Sequence, residues 1–260
     1  MKFSVPMRLS PTQILYTLIC LATLTISCGG QNQARSLRGA EYFYREGMDS
    51  LERKRYLDAI ESFQRVVSNF PGSSLICDAQ YHLAEAYFRM DDFVNAVFEY
   101  QRLADAYPTC SWADRAQFQV GESHFRQMRR AELDQTETHE AIRHFRRFLD
   151  DNPDSPLVEE ARARVQACRA RIAEKQYKAG ELYHKQGHLE AARITYELFL
   201  REFPETPQYC AGMKQLGDVE RRDGNPEKAR FYWEMVASEC SDEDLLKDVH
   251  IWLTELLSEE

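Results

Sequence analysis

Residues 180–204 read GELYHKQGHLEAARITYELFLREFP. Within them Gly180, Ala192, Tyr196 and Pro204 mark a frame of twelve, four and eight residues (192 − 180, 196 − 192, 204 − 196). The same frame holds Gly47, Ala59, Phe63 and Pro71, then Ala84, Ala96, Tyr100 and Pro108. It returns with Gly217, Ala229 and Trp233, where Ser241 takes the proline place. Gly121, Ala141, Phe145 and Pro153 form a further copy whose first gap is longer by eight (20 − 12). Each proline stands thirteen before the next small residue at 84 − 71, 121 − 108 and 217 − 204. Five copies at a fixed period mark a repeat array.

The spacing has a physical reason. Each unit reads as two helices joined by a tight turn. The small residue and the alanine sit where the helices cross, and only small side chains permit close approach. The aromatic lies one turn after the alanine on the same face and fills the remaining space. Proline then stops the second helix, because it has no N–H and clashes with the preceding turn. This pattern resembles the tetratricopeptide repeat. The expected fold is all-α, a tetratricopeptide-repeat superhelix of five helix pairs with a carboxy-terminal capping helix.

Composition narrows the function. The 260-residue chain carries a formal charge of −9, which does not suit nucleic acid. It holds no Gly-rich phosphate loop, no HExxH and no CxxC. His184 and His188 are four apart, but Gly187 lies between them at the expected turn, so they do not read as a metal pair. No catalytic constellation is legible, and the expectation is a protein that is not an enzyme and has no cofactor.

Residues 1–27 read as a signal peptide. Lys2 and Arg8 precede an apolar run of thirteen, Ile14 to Ile26, which is short for a membrane span. The sequence Thr25-Ile26-Ser27-Cys28-Gly29-Gly30 resembles the bacterial lipoprotein box. That resemblance implies cleavage before Cys28, lipid on its sulfur and amine, and export to the outer membrane. The expected organisation is a signal peptide at 1–27, a lipidated tether at 28–33, repeats one to three at 34–153, and a long helix with repeats four and five and the capping helix at 154–260.

Ser73 or Ser74, Ser111, Ser155 and Thr206 follow the prolines as helix caps, and Pro156 and Pro207 fall at first helical positions. The insertion in repeat three, Arg129 to His139, reads as a surface loop containing Asp134-Gln135-Thr136. Between Pro153 and Gly180 the chain gains fourteen residues, almost four turns. Val158, Ala161, Val165, Cys168, Ile172, Ala179 and Leu182 keep one apolar stripe, so one long helix should run from Pro156 to about Gln186. Its outer face carries Arg162, Arg164, Arg169, Arg171, Lys175 and Lys178. That face is either solvated and paired with Glu159, Glu160 and Glu174, or a docking stripe for an acidic partner through Arg162, Arg169 and Lys175. Leu245, Val249, Trp252 and Leu256 share a face of the last segment, as a cap on a repeat array requires.

Five cysteines remain after Cys20 and Cys28. Cys77 and Cys210 begin first helices, and Cys110 and Cys240 end the second helices of the same repeats. Antiparallel packing offers the pairs Cys77–Cys110 and Cys210–Cys240, with Cys168 free. Small buried thiols are the other reading.

A lipoprotein signal, five such repeats, the Asp-Gln-Thr loop and the long helix with Cys168-Arg169-Ala170-Arg171-Ile172-Ala173-Glu174 together resemble the BamD family, also called ComL or YfiO. The resemblance implies an adaptor of the β-barrel assembly machinery, lipid-anchored on the periplasmic face of the outer membrane. Its implied partners are the POTRA domains of BamA, other Bam lipoproteins and unfolded outer-membrane β-barrel proteins. The aromatic residues Tyr42, Phe43, Tyr44, Tyr81, Tyr87 and Phe88 are then the candidate substrate groove. The alternative is a periplasmic repeat lipoprotein of the YbgF/CpoB type, linked to Tol or cell-wall synthesis. Those carry an amino-terminal coiled coil, and no heptad stretch precedes Ala40 here.

Overall fold

The computed structural model describes residues 39–259, so the signal segment, Cys28 and the tether lie outside it. Every regular element among the described residues is helical. The helices are α1 (Ala40–Glu52), α2 (Tyr56–Asn69), α3 (Ile76–Arg89), α4 (Phe93–Ala106), α5 (Ala113–Arg126), α6 (Thr136–Asp151), α7 (Val158–Gln186), α8 (Leu189–Glu202), α9 (Tyr209–Arg222), α10 (Pro226–Glu239) and α11 (Glu243–Glu259). They pair α1 with α2, α5 with α6, α7 with α8, and α9 with α10. The chain forms two compact units, one ending at His82 and the other beginning at Leu83.

In the first unit Ala59, Phe63 and Val66 are fully buried. A Cβ on Gly47 would lie 2.7 Å from the Phe63 ring, so the missing side chain is what lets the ring rest on the backbone of α1. The second unit repeats the device. Gly121 lies under Phe145 and Gly180 under Tyr196, where a Cβ would meet the rings at 2.8 and 2.6 Å. Repeat two keeps Ala84 instead, and its Tyr100 is buried with the hydroxyl donating to Glu85 at 2.9 Å.

The turn inside each regular repeat also has one form. The residue seven after the small one (54 − 47, 91 − 84, 187 − 180, 224 − 217) has positive φ: Lys54 59°, Asp91 60°, Gly187 79° and Gly224 82°. The next N–H then reaches back to close the first helix, as in Arg55 N to Ser50 O at 2.8 Å and His188 N to Tyr183 O at 2.9 Å. His188 therefore stands on the turn, ahead of α8.

Proline acts one residue upstream of itself. Phe70, Tyr107, Asn152 and Phe203 precede the four prolines, and each leaves the helix with φ near −131° and ψ between 50° and 59°. Clash with the proline ring drives them out of the helical region. Two successive turns then lead to the next helix, for example Thr206 N to Phe203 O and Tyr209 N to Thr206 O. These turns correct two expectations. Pro156 and Pro207 lie inside them, two residues before α7 and α9, because the turn spends those residues before the first helical bond. Ser73 and Ser155 do accept N–H bonds, from Leu75 and Leu157. At the place of Ser111 the sulfur of Cys110 accepts from Trp112, and Thr206 instead donates to Phe203 O.

The insertion in repeat three forms the connection from Gln127 to Gln135, and its last residues lengthen α6. It is less open than its polarity suggests. Ala131 is fully buried, and Gln135 is buried with its amide donating to Arg130 O at 2.8 Å and Leu133 O at 3.2 Å. Thr138 Oγ1 donates back to the side-chain Oε1 of Gln135 at 2.7 Å.

Helix α7 runs 29 residues without a break. Its first half packs Ala161, Val165 and Cys168 against Phe118, Phe145 and Phe148. Its second half packs Ala173 and Tyr177 against Phe199 and Phe203. Helix α11 brings Val249, fully buried, with Leu245 and Trp252 onto Met213, Trp233 and Val236. The last apolar surface of the array is thereby covered.

Candidate functional site

The aromatic residues expected to form a groove divide sharply by burial. In the first unit Phe43 and Tyr81 are 4% exposed and belong to the core, so they present nothing outward. That corrects the expectation for these two, since each helix turns one face inward every three or four residues and these rings fall on that face. Tyr42 is exposed and Tyr44 half-buried against Phe63 and His82. Burial, and then the nearby Asp78, raise the Tyr44 phenol above its ordinary value. In the second unit Tyr87 and Phe88 are half-buried. Phe88 meets Phe93 edge-on, with the Arg126 guanidinium 5.5 Å from its centroid.

The basic face of α7 is engaged in internal contacts. Arg162 pairs with Glu159, Arg164 with Glu160, Arg171 with Glu174, and Lys178 with Glu174. Others reach further. Arg169 donates to Glu205 at 2.5 Å and to Glu202 O at 2.6 Å, over the Phe203 ring. Lys175 donates to Leu133 O at 2.6 Å, and Lys178 to Glu132, which fastens the repeat-three loop to α7. Arg169 and Lys175 thus each make a contact within the chain, while Arg162 keeps an exposed side chain beside Glu159.

A groove in the second unit runs between α7, α9 and α11, lined by Tyr177, Lys214, Gln215, Asp242, Asp244 and Asp248. Lys214 is its cation. It lies 4.2 Å from the Trp252 centroid and 3.4 Å from Asp218. Burial raises the Asp218 carboxyl above the usual range, while Lys214 opposes the shift. The Cys210–Cys240 disulfide joins the start of α9 to the end of α10 at this groove, with a Cα separation of 6.0 Å. Cys168 is a buried free thiol, pushed up to about 12 by burial and then by Glu122.

One constellation escaped the sequence. His124 on α5 and Glu140 and His144 on α6 offer ligand-type atoms that all lie within 4.8 Å of one another. The imidazoles stack with centroids 5.1 Å apart and planes 9° apart. His124 Nδ1 is 2.7 Å from Glu137. The Arg143 guanidinium bridges Glu140 and His144, with Nε 3.0 Å from Glu140 and Nη2 2.9 Å from His144 Nε2. Burial, then the Arg143 and His124 charges, lower His144 to about 4, so it is neutral at neutral pH. The available signal was Glu140 and His144 one helical turn apart. Its partner His124 sits across an insertion whose closure no spacing rule gives.

Against known families, residues 38–231 match the profile of YfiO, described as an outer membrane lipoprotein. The chain belongs to the YfiO family. The YfiO match takes in the His124 cluster and all of α7, and ends at Phe231, before the disulfide's second cysteine and α11. No curated protein matches the chain. Among solved structures it is similar to a thermophilic TPR protein of Thermus thermophilus, at 15% identity, TM-score 0.36, covering 83% of this chain and all 100% of that one. It is similar to the TPR2AB domain of yeast Sti1, solved in complex with pHSP90, at 10% identity and TM-score 0.45, covering 84% and 82%. It is also similar to MamA from Desulfovibrio magneticus RS-1, at 14% identity and TM-score 0.35, covering 78% and 97%. No helix among the chain's described residues is long and apolar enough to cross a membrane.

Proposed function

We propose that this protein is a non-catalytic adaptor in the assembly and insertion of β-barrel outer-membrane proteins, anchored by lipid at Cys28 on the periplasmic face of the outer membrane. The observation that carries this reading is the family match over residues 38–231, a span that takes in the frame from Gly47 to Ala229. The residues add a division of labour. Tyr42 and Tyr44 in the first unit, and Tyr87 and Phe88 in the second, offer solvent-reachable aromatic surface to the aromatic ends of unfolded barrel strands. The Lys214 groove and α11 are the proposed seat of BamA's POTRA region, with other Bam lipoproteins joining the complex. Three acyl chains would hold such a protein at a membrane stably, where one would not.

The test is purification of the full-length protein from native membranes in mild detergent, followed by identification of what co-purifies. BamA and barrel precursors are the expected companions. Recovery of Tol or cell-wall synthesis proteins in their place would overturn the adaptor reading in favour of the YbgF/CpoB type. A Cys28→Ala variant should appear in the soluble periplasmic fraction, and a wild type already soluble would refute the anchor.

A further inference from the structure

We propose that His124, Glu140 and His144 form a binding site for one divalent transition cation, best matched to Zn²⁺, and that the Arg143 guanidinium occupies this seat in the metal-free chain. The site is separate from the proposed adaptor surfaces and does not depend on them.

Three observations carry it. The first is the ligand set. Two imidazoles and one carboxylate, with a water in the fourth place, is a recurrent zinc combination. The three ligand-type atoms lie within 4.8 Å of one another, against about 3.3 Å between neighbouring ligands of a tetrahedral zinc with bonds of about 2.0–2.1 Å. Side-chain rotation can supply a closure of that size without moving either helix.

The second is the state of the nitrogens. Arg143 can only donate, so the nitrogen it meets at 2.9 Å, Nε2 of His144, presents a lone pair. Glu137 accepts from Nδ1 of His124 at 2.7 Å, so the other ring nitrogen, Nε2, is the one left to face a ligand. A carboxylate behind a metal-binding histidine is the usual means of fixing its tautomer and orientation.

The third is the tenant. A cationic guanidinium already bridges the carboxylate and an imidazole, so this place is built to hold positive charge. Arg143 is 59% exposed in its side chain and can swing into solvent, whereas His124 and His144 are held at 15% and 8%. A cation entering from the Glu140 side would displace Arg143 and tie α5 to α6 beside the repeat-three loop.

The experiment is titration of the full mature chain, stripped of metal with chelator, against Zn²⁺ in competition with a chromogenic chelator, with Mg²⁺ as the control. The expected result is one tight Zn²⁺ equivalent and no comparable Mg²⁺ binding. Glu140→Gln, on a half-exposed position that should fold normally, should weaken Zn²⁺ at least tenfold, and His144→Gln likewise. His184→Gln should change nothing. Arg143→Gln should tighten binding at least threefold, because the competing cation is gone. That gain cannot arise from damage to the fold. Zinc affinity unchanged in Glu140→Gln, or unchanged or weakened in Arg143→Gln, would overturn the proposal. So would zinc bound no better than magnesium.

Discussion

Replacing Gly217 by Ala tests the packing device shared by the four repeats that carry Gly at this place. A Cβ at this position would lie 2.6 Å from Cδ1 of Trp233 and nearer still to the indole nitrogen. The ring has little room to retreat. Trp233 is fully buried, packed on Met213, Val236 and Val249, with Trp252 at a centroid distance of 5.2 Å. Moving it also strains the indole donation to Lys214 O at 3.4 Å. Overpacking a close-packed core costs about 1–3 kcal/mol, and a rigid ring with both faces filled belongs at the upper end. Ala in place of Gly in a helix returns about 1 kcal/mol. The net loss should be about 2 kcal/mol, or roughly 4–8 °C in melting temperature for a chain of this size. Gly180→Ala is the internal comparison. It gives this repeat the Ala and Tyr that repeat two carries at the same frame positions, Ala84 and Tyr100, both fully buried, so it should cost under about 1 kcal/mol. Urea denaturation followed by circular dichroism and tryptophan fluorescence measures both. A Gly217→Ala variant as stable as the wild type, or a Gly180→Ala variant that loses more, would refute the reasoning.

Two further outcomes can be checked on the same protein. The Cys210–Cys240 bridge closes a loop with a sequence separation of 30. Chain-entropy bookkeeping then gives about 3.6 kcal/mol, so a Cys210→Ser/Cys240→Ser double variant should melt well below the wild type and lose its own response to reductant at these positions. The Arg169 hydrogen bond holds the Glu205 carboxyl below its ordinary range. Its contribution is therefore present above the unfolded carboxylate value and fades as pH falls through the lower folded one, so Arg169→Gln should flatten the acid side of the stability profile and leave the neutral-to-alkaline side parallel to wild type.

What the sequence revealed depended on how locally each feature is determined. The Gly–Ala–aromatic frame was legible because one residue, such as Gly47 beneath Phe63, has a single packing partner at a fixed offset. The length of α7 was legible because an insertion of almost four turns preserves its apolar stripe. Phe43 and Tyr81 stood among the groove candidates because composition shows an excess of aromatics without showing which of them the core takes. Thr206 was misjudged as a cap because a hydroxyl can donate as well as accept, and only the turn geometry decides. The contacts of Lys175 with Leu133, and of His124 with Glu137, cross a loop whose path is set by Gln135 turning inward. A polar residue in a polar stretch carries no mark of that.

The unbroken run of α7 has a consequence of phase. Elsewhere in the second unit, successive helices meet through turns that can absorb an added or lost residue. Inside α7, between the half that packs on repeat three and the half that opens repeat four, there is no such joint. Each residue inserted into α7 would rotate everything beyond it by about 100° and advance it by about 1.5 Å, like a shaft carrying cams at both ends. Removing seven would return the cams to within about 20° of alignment, whereas removing two would turn the apolar faces of α8 and α9 towards water. The Lys214 groove and the His124 cluster are keyed to that one shaft, and their angular setting is fixed by the count of residues along it.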